Sequence, residues 1–245
     1  MKEFLRILVT GESAEDDASL PREAAGRALE WTALGVLAFE RIVVPPALVI
    51  GIATEPFGWV VLASPRAVRF FGELLLENGI ELPPETRVAC LGARTAEAAA
   101  SDGFTPDFVP TEPGSEGFLA EFEARLGRAG ARPSVLLPAA EGGRLAIRDR
   151  LAALGCPVHR LSLYRSLPRT DLAAQLPEGA LSAFGAIVFT SPSSVDALLS
   201  QFDLPPGVRV LSLGTFPGEH LARRGVGDVR VLPHGDYQRI GEVLC

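Results

Sequence analysis

Two serine-proline turns carry the residue types in this sequence that are best suited to binding chemistry. Ser64–Arg66 follows the apolar run Val60–Leu62, and Ser191–Ser193 follows the apolar run Ile187–Phe189. In each copy the pattern predicts a buried strand that enters a helix, with serine as the N-cap and proline as the first helical residue. The backbone N–H groups of such a first turn lack partners within the helix and attract anions. Two turns of this kind indicate a ligand with several negative charges.

The elements that position these turns alternate between strand and helix along the chain. Compact apolar runs stopped by glycine or proline predict buried parallel strands, and apolar residues at helical spacing predict the helices between them. Predicted strands cover Leu5–Thr10, Phe57–Leu62, Arg87–Gly92, Phe108–Pro110, Val135–Pro138, Val158–Tyr164, Ile187–Thr190, Val208–Gly214 and Val229–Leu232. Predicted helices cover Pro21–Glu30, Ala67–Asn78, Thr95–Asp102, Ser115–Leu126, a segment ending at Leu154, Val195–Phe202, Pro217–Arg224 and Tyr237–Leu244, and the acidic segment Glu12–Ser19 is predicted as a loop. The alternation indicates an α/β fold with parallel sheets covered on both faces.

The same order of units occurs twice in the chain. Ser64 and Ser191 are 127 positions apart, and the strand-ending glycines Gly92 and Gly214 are 122 positions apart. Solenoid repeats have periods of roughly 20–50 residues, so this longer offset indicates two similar α/β domains. In sheets of this kind ligands bind beyond the carboxyl ends of the strands, and we expect the chemistry there.

Composition and charge argue against several classes of function. The formal net charge of −7, from 23 basic and 30 acidic residues, argues against a nucleic-acid or anionic-membrane partner. The three cysteines and three histidines lie scattered without metal-ligand spacing, which predicts a reduced, cytoplasmic protein without a bound metal. The longest apolar stretch, Ile42–Ala53, is too short and too interrupted by proline and glycine to span a bilayer.

Six groups of residues, taken in order, give the chain a resemblance to a known enzyme family. They are Leu8–Thr10, Ser64–Val68, Val88–Gly92 with Thr95-Ala96, Gly143-Arg144 leading through Leu154-Gly155 to Leu163–Arg165, Phe189–Ser193, and Leu213-Gly214. No single group is specific, but their order and spacing together resemble uroporphyrinogen-III synthase. That enzyme closes the linear tetrapyrrole hydroxymethylbilane with inversion of its last ring.

The resemblance implies an α/β fold of two similar, doubly wound parallel-sheet domains joined by a two-stranded linker. The first domain would be discontinuous, with residues 1–38 and 170–245, and the second would comprise residues 39–169. The linkers would lie around Ala38–Val44 and Arg165–Thr170. The resemblance further implies an active site in the cleft between the domains that uses no cofactor and no metal. A hinged clamp of this kind is expected to be a monomer.

The resemblance also implies an activity and a set of binding residues. The activity is that of a cyclising hydro-lyase of porphyrin biosynthesis (haem, sirohaem and cobalamin), and its substrate carries carboxylates on acetate and propionate arms. Neutral N–H donors at helix starts suit such a ligand. The residues implied to bind it are Ser64, Pro65, Arg66, Gly92, Ala93, Arg94, Gly143, Arg144, Thr190, Ser191, Ser193, Gly214 and Thr215. The alternative for any one turn is that its serine, proline or glycine only caps a helix.

Tyr164 is the residue that the resemblance implies for catalysis. It would donate a proton or a hydrogen bond and so help the hydroxyl group leave as water. The alternative is an ordinary tyrosine at a strand end with its hydroxyl in solvent. Because an unperturbed phenol near pKa 10 is a weak acid, most of the rate is expected from holding an azafulvene-like cation in the geometry that favours attack at the substituted carbon of the last ring. Two or three of the arginines Arg66, Arg94, Arg144, Arg148 and Arg165 are expected to bind substrate carboxylates.

The chain departs from the family pattern at three places. Gly11-Glu12 stands where the family commonly has an arginine, Ala63 stands where threonine is usual, and Phe216-Pro217 follow Thr215 where the family tends to have hydroxyl residues. These departures motivate a second hypothesis, a catalytically weak or inactive relative that acts as a tetrapyrrole-binding or regulatory module. A third, a periplasmic-binding-like or nucleotide-binding α/β protein, is disfavoured because the sequence has neither GxGxxG nor a P-loop.

Overall fold

The chain folds into two compact units. The computed structural model describes residues 4–11, 20–112, 114–127, 132–143, 145–233 and 236–244, so the predicted loop Glu12–Ser19 lies outside the described residues. The first unit comprises Met1–Ala38 with Ser166–Cys245, and the second comprises Phe39–Arg165. Two six-stranded sheets account for the strands of the two units.

Strands and helices alternate over most of the described chain. The strands are β1 (Phe4–Val9), β2 (Glu23–Ala24), β3 (Arg27–Ala33), β4 (Leu37–Arg41), β5 (Trp59–Leu62), β6 (Arg87–Cys90), β7 (Pro106–Phe108), β8 (Val135–Ala140), β9 (Val158–Pro168), β10 (Ala186–Phe189), β11 (Arg209–Ser212) and β12 (Val229–Val231). The helices are α1 (Pro46–Thr54), α2 (Pro65–Asn78), α3 (Ala93–Ser101), α4 (Ser115–Gly127), α5 (Ala146–Ala153), α6 (Leu172–Gln175), α7 (Pro192–Leu199), α8 (Thr215–Arg223) and α9 (Gly241–Leu244). Within the described ranges, no helix is both long and apolar enough to cross a membrane.

The sheet of the first unit has the order β12-β11-β10-β1-β3-β2. Its neighbouring strands pair in parallel, except that β2 and β3 pair antiparallel. The two central strands are apolar on both faces: Ile7 and Val188 pack into one buried cluster, while Leu8 and Ile187 pack into another. Continuous apolar strands are what a parallel sheet needs when both of its faces are covered.

The sheet of the second unit repeats this arrangement. Its order is β4-β9-β8-β5-β6-β7, so β7-β6-β5-β8-β9 corresponds to β12-β11-β10-β1-β3 of the first sheet. On β5, Val60 and Leu62 pack into one buried cluster and Trp59 and Val61 into another. The prediction of two similar parallel-sheet α/β domains, made from the internal repeat, is confirmed.

The segments that cross between the units are extended strands. The chain leaves the first unit within β4 and returns within β9, and these two strands are neighbours in the second sheet. Just past β4, the Ile42 amide donates to the Leu163 carbonyl oxygen at 2.8 Å. The chain returns to the first unit after Arg165, a little before the predicted boundary at residue 170.

The predicted helix Pro21–Glu30 is wrong. This segment forms β2 and β3, joined by a tight turn in which Ala25 and Gly26 both have positive φ, 50° and 73°. A helix cannot continue through two such residues. Burial on β3 has a period of two, since Leu29 and Trp31 are buried and Glu30 between them is exposed. Pairing with β1 therefore decides the structure of a segment whose composition also suits a helix.

The C-terminal helix predicted for Tyr237–Leu244 is broken in two. A single 3₁₀ turn covers Tyr237–Arg239, and α9 covers only Gly241–Leu244. Ile240 between them is fully buried, and it packs in the same apolar cluster as Leu244.

Candidate functional site

In the first unit, α7 begins at the carboxyl end of β10 with a closed capping box. The Ser191 hydroxyl oxygen accepts a hydrogen bond from the Ser194 amide at 3.1 Å, and the Ser194 hydroxyl oxygen accepts one from the Ser191 amide at 3.1 Å. Such reciprocal bonds satisfy two backbone donors and fix the entry of the chain into the helix. Ser193 lies exposed in the same first turn. The predicted serine N-cap is therefore present, and Ser193 is available at the surface.

Two threonines join this helix start to the sheet. The Thr10 hydroxyl donates to the Ser194 hydroxyl oxygen at 2.9 Å and accepts from the Thr190 amide at 3.2 Å. The Thr190 hydroxyl donates to the Thr10 carbonyl oxygen at 2.7 Å. Thr10 and Ser194 are buried, with 2% and 0% of their surface exposed. The ends of β1 and β10 and the first turn of α7 are thus held in one arrangement.

Helix α8 begins on the neighbouring strand of the same sheet. Gly214 is its N-cap at φ 96°, a backbone conformation that favours glycine, and Thr215 is its first residue. The Ser212 hydroxyl donates to the Gly214 carbonyl oxygen at 3.0 Å. Because β10 and β11 are parallel neighbours, the starts of α7 and α8 lie at the same edge of the sheet. Phe216, one of the departures from the family pattern, is 55% exposed in this first turn.

In the second unit, α2 begins with almost the same backbone as α7. Ser64 has φ −161° and ψ 157°, Ser191 has φ −159° and ψ 160°, and a proline follows each. The Ser64 hydroxyl oxygen accepts a hydrogen bond from the Ala67 amide at 3.2 Å. Because Ala67 stands where α7 has Ser194, this cap has no side-chain bond in return. The Arg66 guanidinium carbon lies 3.3 Å from the ring centroid of Phe39, a residue of β4.

Two further predicted turns of the second unit lie at the same edge of its sheet. Gly92 is the N-cap of α3, with Ala93 and the exposed Arg94 as the first helical residues. At the end of β8, the Gly143 amide donates to the Ala140 carbonyl oxygen at 3.1 Å. These turns share an edge with Ser64 because β6 and β8 both pair in parallel with β5. The predicted binding residue Arg144 lies outside the described residues.

Tyr164 is part of the core of the second unit. Its ring stacks on Phe70 at a centroid distance of 4.8 Å and meets Phe39 edge-on at 6.2 Å, and 5% of its surface is exposed. Its carbonyl oxygen accepts a hydrogen bond from the Glu141 amide at 2.7 Å, at the carboxyl end of β8. The ring is thus packed on both sides, and this packing does not decide between a catalytic hydroxyl and the alternative of a hydroxyl in solvent. The structure brings Tyr164 and Arg66 to the same ring, that of Phe39.

The candidate arginines fall into different environments. Arg165 donates to Glu40 at 2.8 Å, which raises the pKa of the arginine and lowers that of the carboxyl, chiefly through the hydrogen bond itself. Arg148 donates to the adjacent Asp149 at 2.6 Å. Both pairs are largely exposed, and exposed ion pairs are weak enough to be exchanged for a stronger acceptor. Among these arginines, Arg66 is the one described on an aromatic ring.

Ser194 lies within the predicted turn Ser191–Ser194, but its part in a capping box was not predicted, and Phe39 was not predicted at all. The capping box could have been predicted, since a hydroxyl residue three positions after a serine N-cap is the spacing of such a box. No sequence signal points to Phe39, because its role depends on β4 lying beside β9 and α2.

The arrangement in each unit is suited to binding anions with neutral donors. Each unit offers helix starts along the carboxyl edge of a parallel sheet, where N–H groups point outward. Among the described residues, no group of three or more histidine, cysteine, aspartate or glutamate side chains is arranged to hold a metal ion.

Comparison with known proteins identifies the family. The family model described as uroporphyrinogen-III synthase HemD matches residues 30–236. The chain belongs to the uroporphyrinogen-III synthase family. A Synechococcus elongatus uroporphyrinogen-III synthase is 30% identical over 152 residues, which are 58% of this chain and 54% of that protein. A Methanothermobacter thermautotrophicus protein, provisionally named uroporphyrinogen-III synthase, is 32% identical over 142 residues, 57% of this chain and 55% of its own. The chain therefore spans about half the length of these curated relatives.

Solved structures of family members share the fold. The uroporphyrinogen-III synthetase of Helicobacter pylori aligns with a TM-score of 0.62 over 100% of this chain and 98% of its own, at 16% identity. A mutant uroporphyrinogen III synthase of Thermus thermophilus aligns with a TM-score of 0.56 over 98% of both chains, at 21% identity. At these identities the likeness concerns the fold. It agrees with the two-domain α/β fold that the sequence predicted.

Proposed function

We propose that the chain is an active uroporphyrinogen-III synthase that cyclises hydroxymethylbilane to uroporphyrinogen III with loss of water and inversion of the last ring. The observation that carries the proposal is the row of capped helix starts along the carboxyl edge of each sheet, in a chain that belongs to this family. The proposal includes a monomeric, cytoplasmic protein without cofactor or metal. It also treats the two compact units as the two domains of the synthase.

The helix starts supply the binding part of the proposed activity. The substrate is flexible and carries carboxylates on every ring, so binding must fix many rotatable bonds. Backbone N–H groups held at the sheet edge can donate hydrogen bonds to carboxylates without a buried counter-charge. The Thr10–Ser194 hydrogen bond and the capping box support this role, because they hold the start of α7 in place before any ligand arrives.

The chemical part of the proposed activity depends on geometry more than on strong acids. Loss of the hydroxyl group as water leaves an azafulvene-like cation, which the substituted carbon of the last ring attacks to form a spiro centre. The bond from that carbon to its original bridging carbon then breaks. The second cation formed in this way closes on the other α-carbon of the inverted ring, which loses a proton. We assign Tyr164 to the departure of the hydroxyl group, as a proton donor or hydrogen-bond donor. Holding the reacting carbons close together supplies the larger factor, since positioning alone can contribute several orders of magnitude in rate.

A coupled assay tests the activity. The chain is supplied with hydroxymethylbilane, the products are oxidised, and type III porphyrin is resolved from type I. We expect type III porphyrin in excess, formed faster than the spontaneous closure that gives type I. Type I alone, at the rate without protein, would overturn the proposal and favour the inactive relative. The exposed Phe216 in the first turn of α8, where the family tends to have hydroxyl residues, is the observation that keeps this second candidate under test.

Tyr164→Phe tests the assignment of the catalytic residue. It removes one hydroxyl and keeps the ring that stacks on Phe70, so the second unit should remain folded. We expect kcat to fall by about a hundredfold, the lower end of the range for one general acid. Tyr237→Phe is the matched control, because Tyr237 is the other of the two tyrosines and packs edge-on against Trp31 in the first unit. An equal effect of the two substitutions on kcat would remove Tyr164 from the mechanism.

A further inference from the structure

One phenylalanine ring connects two residues of the proposed site. Phe39 lies on β4, and its ring contacts the Arg66 guanidinium on one side and the Tyr164 ring on another. Tyr164 is in turn stacked on Phe70 with an interplanar angle of 15°. Arg66, Phe39, Tyr164 and Phe70 therefore contact one another in sequence. The proposed carboxylate-binding arginine and the proposed catalytic tyrosine share Phe39 as a neighbour.

The distance between Arg66 and Phe39 determines how the guanidinium lies. Its central carbon is 3.3 Å from the ring centroid, which is close to the contact distance of two flat groups. A tilted guanidinium at this distance would push a nitrogen into the ring, so the two planes lie nearly parallel. The guanidinium N–H donors then point outward in their own plane, which is the geometry for a fork-like contact with a carboxylate.

The strand that carries Phe39 contacts the elements that carry Tyr164 and Arg66. Glu40 accepts a hydrogen bond from Arg165 at 2.8 Å, and Arg41 donates a hydrogen bond to Glu77 of α2. These bonds connect β4 to β9, which carries Tyr164, and to α2, which carries Arg66. The pairing of β4 with β9 in the sheet, with the hydrogen bond from the Ile42 amide to the Leu163 carbonyl oxygen, holds Phe39 beside the strand of Tyr164.

We propose that Phe39 is a positioning residue of the site. It orients the Arg66 guanidinium toward a carboxylate arm of the substrate and keeps the distance between Arg66 and Tyr164 constant. The inference rests on the proposed function for the identity of the substrate. It differs from a packing role because it requires Phe39 to act through Arg66. A phenylalanine that only fills space would affect stability and leave the contribution of Arg66 intact.

A double-mutant cycle tests this dependence. The variants are Phe39→Leu, Arg66→Ala and both together, and the probe is type III uroporphyrin, the oxidised product that keeps the carboxylate arms. We expect Phe39→Leu to raise its Kd about fivefold, as the loss of a partly exposed cation–π contact does, and KM to rise with it while kcat changes less. In the Arg66→Ala background, Phe39→Leu should cause no further rise. Independent effects that multiply in the double variant would overturn the inference.

Matched variants and a ligand-free measurement complete the test. Phe39→Tyr keeps the ring and should restore the wild-type Kd. Phe108→Leu is the control, since Phe108 is also a half-buried strand phenylalanine of this unit near an arginine, with the Arg125 guanidinium 5.6 Å from its ring, and it should leave Kd unchanged. In the free protein, the Arg66 Nε–H proton signal should be shifted upfield by the ring and return on Phe39→Leu. An unshifted signal in the wild type would refute the stacking.

Failure of the proposed activity is distinguishable from failure of this inference. A wild type that forms no type III porphyrin, but in which the cycle on uroporphyrin binding is non-additive, would retain the positioning role and lose the synthase activity. A wild type with full activity and an additive cycle would retain the activity and lose the positioning role. A wild type that forms no type III porphyrin and does not bind uroporphyrin would reject both.

Discussion

Replacing Thr10 by valine should destabilise the first unit, although the two side chains have almost the same shape. Thr10 is 2% exposed, and its hydroxyl oxygen accepts from the Thr190 amide at 3.2 Å. It also lies 2.9 Å from the Ser194 hydroxyl and 3.3 Å from the Val188 carbonyl oxygen. Valine can make none of these bonds.

The size of the effect follows from which groups lose their partners. The Val188 carbonyl oxygen keeps the Thr10 amide at 3.0 Å, and the Ser194 hydroxyl oxygen keeps the Ser191 amide at 3.1 Å. The Thr190 amide is the donor that loses its acceptor. A buried donor without an acceptor costs roughly 1–3 kcal/mol, so we expect a loss of about 2 kcal/mol in the free energy of unfolding. When exchange is limited by the opening equilibrium, this corresponds to about 30-fold faster exchange of core amides.

Hydrogen exchange followed by mass spectrometry measures this loss in each unit separately. Amides of β1 and β10 should exchange about 30-fold faster in Thr10→Val, while those of β5 in the second unit should keep their rates. Thr32→Val is the matched control, because Thr32 of β3 pairs with Leu8 of β1 in the same sheet but is only half-buried. If Thr10→Val changes exchange no more than Thr32→Val does, the hydroxyl network does not stabilise this edge of the sheet and the reasoning fails.

Three further predictions follow from local geometry. Gly117→Ala should lower the thermal midpoint, because its added Cβ would overlap a backbone carbonyl oxygen five residues earlier. Gly72→Ala should raise the midpoint through a gain of about 0.5–1 kcal/mol in the free energy of unfolding, since the atom nearest to its added Cβ, at 3.3 Å, is the oxygen of a flexible carboxylate. Arg165→Gln should raise the pKa of Glu40 toward its ordinary value of about 4.3, measured by carboxyl-carbon NMR titration. Because the folded-state pKa of Glu40 is lowered, the stability that this carboxylate contributes is present above its unfolded-state pKa and is lost as pH falls through the folded-state pKa. Arg165→Gln should therefore lose less stability than the wild type over this acidic range. Burial raises the pKa of the Cys90 thiol to about 11, so the native protein should resist maleimide labelling of Cys90 at pH 7 until it is unfolded; rapid native labelling would contradict this burial.

The internal repeat shows which structural features local sequence patterns can predict. Ser64 and Ser191 were assigned to equivalent positions because each follows an apolar strand and precedes a proline, and their backbone angles agree within 3°. Apolar runs, serine caps and glycine stops act locally, so they determine which segments become strands and where helices begin. The fold class and the family were predictable for this reason, and both are confirmed. The assignment of substrate-binding and catalytic residues remains a prediction.

Residues 21–30 are a segment whose secondary structure local sequence patterns did not predict. Their composition permits a helix, but the positive φ of Ala25 and Gly26 and the pairing of Leu29 with Leu5 give them two strands and a turn. That choice depends on an open position beside β1, which no local pattern contains. Strand pairing is a property of the assembled sheet, and its free energy comes from neighbours distant in sequence.

The sequence by itself determined the two halves, the order of strands and helices in most of the chain outside residues 21–30, and the serine and glycine residues at the helix starts. Only the tertiary structure decided what surrounds the polar groups there. It buried the Tyr164 ring against Phe70, placed Arg66 on Phe39, and joined Thr10 to Ser194 across 184 positions of the chain. The physical reason is that capping and periodicity involve residues within one turn of each other, whereas packing and long-range hydrogen bonds exist only after distant strands have come together.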